Sequence, residues 1–183
     1  MGWTQINMGK KREKSVSELI SEALFTLIVD EKRDYNQLSI QDIITKAGVC
    51  RNSFYRNFKN IDEILMKNLE NVWENTDLEE SDIPYGDGVE KVMFCYFTVL
   101  QQNERVYKAF YLANPGRYFD YFSKSIIRAN THLDIETLDP SEYYRYACRA
   151  WIGVGIMTEW LFRGFDLPIE EMIVQLMEVY KDW

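Results

Sequence analysis

A chain of 183 residues with 46% hydrophobic content is long enough to bury a core, as one domain or as a small head joined to a body. It has no run of twenty apolar residues, no signal-peptide core at its start, and Ile6 where an acylation signal after Met1-Gly2 requires Ser or Thr; a soluble, cytoplasmic protein without membrane attachment is therefore expected. The net charge of −8 argues against a nucleic-acid partner for the chain as a whole, but residues 1–60 hold ten Lys or Arg against seven Asp or Glu, a net of +3, leaving −11 on the remainder.

The basic end opens with Lys10, Lys11, Arg12 and Lys14, either a solvated tail or an arm for phosphates or a minor groove. A first helix follows, in which Val16, Leu19, Ile20, Ala23, Leu24, Leu27 and Ile28 recur at helical spacing behind a Ser15/Glu18 capping box. Asp30 to Asn36 is a polar connection with Tyr35 as its anchor.

Ser39 to Phe58 then encodes two short helices around a turn. Ser39 and Asp42 form a capping box, and Ile40, Ile43, Ile44 and Ala47 make one buried face. Gly48 stands where the chain has to pass through a left-handed conformation, and Val49 is the spacer behind it. In the second helix Phe54 and Phe58 face inward, which leaves Arg51, Asn52, Ser53, Tyr55 and Arg56 outward. Arg can fork onto guanine and Asn can pair with adenine, while Ser and Tyr hydroxyls suit phosphates or base edges, so this face fits a major groove.

Ala47-Gly48-Val49, followed by Ser53-Phe54-Tyr55-Arg56-Asn57-Phe58-Lys59-Asn60 and Asp62-Glu63-Ile64-Leu65, resembles the DNA-binding head of the tetracycline-repressor (TetR) family over about residues 15 to 66. The resemblance implies an all-α homodimer: a three-helix head over 1–59 that binds a palindromic operator, and a helical body over 60–183 that takes an unknown small-molecule effector and dimerises. It places Arg51, Asn52, Ser53 and Tyr55 at double-stranded operator DNA, with Ser39 and Gln41 from the preceding helix, Arg56 beside them, and Asn57 and Lys59 on phosphates. Three positions depart from the pattern. Cys50 replaces the usual Ser or Thr cap, Ile44 fills a slot commonly held by Ala and would separate the two helices slightly, and Ile61 removes a frequent Lys.

Asn60 to Glu63 caps a further helix through Ile64, Leu65, Leu69, Val72 and Trp73, the natural rod between head and body, before an acidic loop from Thr76 to Gly88. Helices are expected over Val89–Gln102, Arg105–Ala113 and Arg117–Thr131, with Asn114-Pro115-Gly116 as a break. Their rings either interlock as core or line a cavity. Trp73, Met93, Tyr96, Phe97, Phe110, Tyr111, Phe122 and Trp151 are the candidates for the pocket that the resemblance implies, and the acidic, aromatic body points to a cationic or planar apolar ligand.

His132 has no second ligand at a useful spacing, and Cys50, Cys95 and Cys148 are odd in number and far apart. With no nucleophile elbow, phosphate loop or paired carboxylates, neither catalysis nor a metal or cofactor is expected.

Ser141 to Arg163 is apolar nearly all round, Gly164 ends it, and Asp166 with Pro168 opens a last helix carrying Ile169, Met172, Ile173, Leu176, Met177 and Tyr180. Doubled about a two-fold axis, this pair gives the four-helix interface at which the resembled family dimerises, for which Ala147, Trp151, Val154, Thr158, Leu161, Ile169, Ile173, Leu176 and Tyr180 are the candidates. Gly153 and Gly155 suggest close approach of another helix or a ligand, or a tolerated kink. The whole reads as a ligand-responsive transcriptional regulator, a repressor by likeness, with a coactivator or adaptor whose head binds protein as the alternative.

Overall fold

Short polar side chains start the helices by taking up amides that the first turn leaves unbonded. The computed structural model describes residues 14–72, 79, 83–85, 88–131 and 135–181; Lys10, Lys11, Arg12, Trp73, His132 and most of the acidic loop lie outside them. Among the described residues the fold is all-α, with no strand. The helices are α1 (Val16–Phe25), α2 (Ile40–Ala47), α3 (Arg51–Asn57), α4 (Ile61–Glu70), α5 (Val89–Gln102), α6 (Glu104–Ala113), α7 (Pro115–Thr131), α8 (Pro140–Phe162) and α9 (Ile169–Lys181). Reciprocal capping boxes form at Ser15/Glu18 and Ser39/Asp42, and Asn60 accepts the Glu63 amide at 2.8 Å.

Three boundaries differ from the sequence reading. The first helix does not run evenly to Ile28: it widens over Thr26–Asp30 into a π turn, closed by the Glu31 amide on the Thr26 carbonyl at 2.9 Å. Proline at 115 is the first residue of α7 rather than a break, because its fixed φ suits a first turn and its missing N–H would have no partner there. The rod is also shorter than expected: α4 ends at Glu70, and Val72 is buried in the turn that follows.

The three head helices pack around Ile20, Leu24, Ile43, Phe54 and Phe58, and Ile44 also lies in this core. Asn68 of α4 donates to Ser21 of α1 at 2.8 Å, and Lys67 donates to the Asn57 carbonyl at the end of α3 at 2.9 Å. Beyond residue 60 the packing continues unbroken. One apolar cluster runs from the head through Ile64, Leu65 and Leu69 to Phe97, Phe110, Trp160 and Leu176. In the body, α7 packs along α8, and α5 lies against α6, α8 and α9. The α8–α9 turn is held by Trp160, whose indole N–H donates to the Leu167 carbonyl at 3.0 Å, with Gly164 at φ +76°.

Candidate nucleic-acid interface and body cavity

The turn between α2 and α3 closes as its residues require. Gly48 has φ +68° and ψ 31°, and the Val49 amide reaches the Ile44 carbonyl at 3.1 Å, a Schellman ending that aims α3 away from α2. Phe54 and Phe58 anchor α3 from below, with ring centres 6.2 Å apart. Their burial leaves Arg51, Asn52, Tyr55 and Arg56 on the exposed side, with Gln41 exposed on α2.

These groups are held loosely. The Arg51 guanidinium donates to the Tyr55 hydroxyl at 3.3 Å, and Arg56 reaches back to the Asn52 carbonyl and the Ser53 hydroxyl, both at 3.4 Å. Bonds of that length exchange readily for phosphate or base oxygens. Lys46 pairs with Glu31, and on α4 Lys67 pairs with Glu63, which also accepts from the Lys59 backbone amide, but among the described residues no carboxylate forms an ion pair with the Arg51, Arg56 or Lys59 side chains. Three other candidates already have partners or partial cover in the head. Asn57 spends its amide on the Ser53 carbonyl at 2.7 Å, Ser53 is half-buried, and the Ser39 side chain is engaged with Asp42 as a cap. Cys50 gives the helix no capping bond; its sulfur lies 3.2 Å from the Ser53 hydroxyl, which, ahead of the Ser53 amide, draws the thiol pKa down.

In the body, helices α5, α7, α8 and α9 enclose a cavity of about 230 Å³. Val92, Met93, Tyr96 and Phe97 come from α5, Ile126 and Ile127 from α7, Tyr146, Arg149, Gly153 and Met157 from α8, and Leu176, Met177 and Tyr180 from α9. Met93, Tyr96 and Phe97 thus line it as expected from the sequence. Phe110, Tyr111, Phe122 and Trp151 do not: Phe110 and Phe122 interlock with Tyr118, Tyr111 packs on Phe162, and Trp151 stacks on Phe119 at 5.3 Å. Sequence reasoning favoured rings, whereas most of the wall is Met, Ile, Leu and Val. Of the cationic or planar apolar ligand expected, a cation would find no counter-charge here, because the lining contains one arginine and no acid. A second depression of about 500 Å³, with Lys32, Arg33, Asp34 and Lys108 in its lining, opens where the head meets α6.

Residues 29–66 match the family described as bacterial regulatory proteins, tetR family. The chain carries a tetR-family head. No curated protein matches the chain. Among solved structures, the dihydroxyacetone kinase operon activator DhaS shares the fold, with a TM-score of 0.55 and 19% identity over 90% of this chain and 93% of its own.

The tetR-family head is clamped to the body through more than α4. Arg105, at the start of α6, donates to Glu22 at 2.6 Å, Asp30 at 2.8 Å and Thr26 at 3.2 Å, gripping α1 and the π turn together. Tyr35 hydrogen-bonds Asp62 in the first turn of α4; burial, then that bond, pushes the phenol pKa up. Further out, the candidate dimer residues sort by face. Ala147, Val154, Thr158, Leu161, Ile173 and Leu176 are buried within the protomer, which corrects their placement at an interface: they close the body's own core. Ile169 is half-buried, and the Tyr180 hydroxyl donates to the Arg149 carbonyl at 2.8 Å. Trp151 alone of the set is exposed, at 52%; Tyr144 is exposed seven residues earlier on α8, and Val174 is exposed on α9.

Among the described residues no helix is long and apolar enough to cross a membrane, and no cluster of His, Cys, Asp or Glu could hold a metal ion.

Proposed function

We propose that this protein is a ligand-responsive transcription regulator that binds a palindromic operator as a homodimer. The observation that carries the reading is the outward face of α3, where Arg51, Asn52, Tyr55 and Arg56 stand on a helix fixed by Phe54 and Phe58, with neither arginine paired to a carboxylate among the described residues. Two such heads about 34–36 Å apart enter successive major grooves on one side of a duplex. A ligand in the body alters that spacing by favouring one conformation, and shifts the equilibrium only by its differential affinity for the two. In this reading the protein catalyses nothing.

Operator occupancy that blocks a promoter is repression, the reading adopted here. DhaS is named an operon activator, which favours a second reading in which the bound dimer assists transcription. Transcription in vitro from templates with the selected site at or upstream of the promoter separates the two.

Selection of bound sequences from random duplexes, followed by titration at rising salt, tests DNA recognition itself. With Arg51, Arg56 and Lys59 from each of two heads on phosphates or bases, affinity falls about a thousandfold between 50 and 200 mM salt. Arg51→Ala and Tyr55→Phe weaken binding and leave the dimer intact. An adaptor whose head binds protein yields no enriched sequence and no salt-dependent complex, and that result overturns the proposal.

A further inference from the structure

The cavity between α5, α7, α8 and α9 is apolar except for three tyrosines and one cation, Arg149. The Arg149 Nε is buried without a hydrogen-bond partner, and among the described residues no carboxylate pairs with its guanidinium. Arg149 as a whole is half-buried; Nε is its buried, unpaired donor, and such a donor on a charged group is costly. Nε and one terminal nitrogen form the edge of the fork that receives a carboxylate side-on through two parallel bonds. Among the described residues no hydrogen-bond acceptor meets Nε.

Size narrows the occupant further. The cavity, at about 230 Å³, exceeds the roughly 150 Å³ apolar cavity that takes benzene and falls below the usual range for drug-sized ligands. Its wall is flexible: Met93, Met157 and Met177 adapt to a chain or a ring without polar demands. From these observations we propose that the body cavity binds a small monocarboxylate with an apolar tail, such as a medium-chain or arylalkyl acid, with its carboxylate on Arg149. This rests on the regulator reading in treating the body as the ligand-receiving half, and it names the ligand's chemistry. The bound acid ties α8 to the walls given by α5 and α9, so occupancy stiffens the body against which the head is clamped.

The test is calorimetric titration of the full chain, without DNA, with octanoate, 1-octanol and octylamine, which share a tail and differ in the head group. Octanoate binds at least about tenfold more tightly than octanol, because a charge-assisted pair replaces a neutral contact, and octylamine does not bind. Arg149→Met keeps the aliphatic stem, removes the charge and brings octanoate down to the affinity of octanol; Arg149→Lys retains a preference for the acid. Met157→Trp fills the space and abolishes binding of both. The proposal is overturned if octanoate fails to bind, if the alcohol or amine binds as well on the unaltered chain, or if octanoate is indifferent to Met157→Trp. The unaltered chain decides the first two outcomes whether or not a variant folds. A protein that binds octanoate but prefers no duplex refutes the regulator reading and leaves this site standing; one that binds its operator but no acid refutes the site alone.

Discussion

At the level of single residues, the side chains that build the head also set its response to acid. Asp42 accepts from the Ser39 hydroxyl and the Ser39 amide and pairs with Arg33 at 3.0 Å; these bonds, in that order, hold its carboxyl at about 2. A carboxyl depressed by folding adds stability that is fully present above its ordinary pKa, near 4, and lost as pH falls toward 2. The expected outcome is that Asp42→Asn melts below the unaltered chain at pH 7, and that the gap narrows steadily between about pH 4 and 2. A constant gap down to pH 2 would mean that Asp42 acts by shape rather than by charge. Much of this residue-level detail was legible in advance, because caps are local: the Ser39/Asp42 box, the Asn60 cap and the left-handed Gly48 each depend on neighbours within four positions. Arg149 was not legible, since a missing counter-charge is a property of what four helices bring together.

At the scale of helices, two glycines on α8 look alike in sequence and differ in space. An added Cβ at Gly153 would meet the Tyr180 hydroxyl at 2.9 Å, whereas one at Gly155 meets nothing within 4 Å. Each Gly→Ala change favours the helix by about 1 kcal/mol. At 155 that gain stands, so Gly155→Ala should raise the melting temperature by roughly 2–4 °C. At 153 the gain is offset by loss of the Tyr180 bond to the Arg149 carbonyl, about 1 kcal/mol, so melting should barely move while amide exchange in α9 quickens. A fall in melting temperature for Gly155→Ala would place a second chain in the space beside it. Periodicity located α5 over Val89–Gln102 but could not choose the buried face of α8, because an almost uniformly apolar helix has no stripe to orient it.

The junction between head and body belongs to the same scale. Arg105 binds Glu22, Asp30 and Thr26 across it, while Asn68 and Lys67 tie α4 to α1 and α3, so α6 and α4 grip the head at separate points. The Arg105 pairs are partly exposed, and their worth to stability is small. Their worth to coupling is greater, because they fix the angle between two packed units. Arg105→Met should therefore leave helicity and operator affinity within about threefold, yet reduce whatever change in that affinity a body ligand produces. Full retention of the ligand effect would assign transmission to α4 alone.

For the molecule as a whole, the proposed regulator depends on two heads being held together, and burial selects which variant can test it. Leu176 is 2% exposed and closes the protomer's core, so a charge there unfolds the body and says nothing about association. Trp151 lies outward on α8, stacked on Phe119, with Tyr144 one heptad earlier on the same face. Trp151→Glu puts a charge on that face without opening the core. Light scattering should then give the mass of one chain, with helicity unchanged, where the unaltered protein gives two. Operator affinity should fall by about a hundredfold or more, since each head then binds its half-site without the effective concentration supplied by a partner. The charge pattern gives an independent check: residues 1–60 carry a net +3 and the remainder −11, so with one head on DNA instead of the proposed two, affinity should fall about half as steeply with salt. A Trp151→Glu protein that keeps twice the chain mass would move the interface off the Trp151 face of α8.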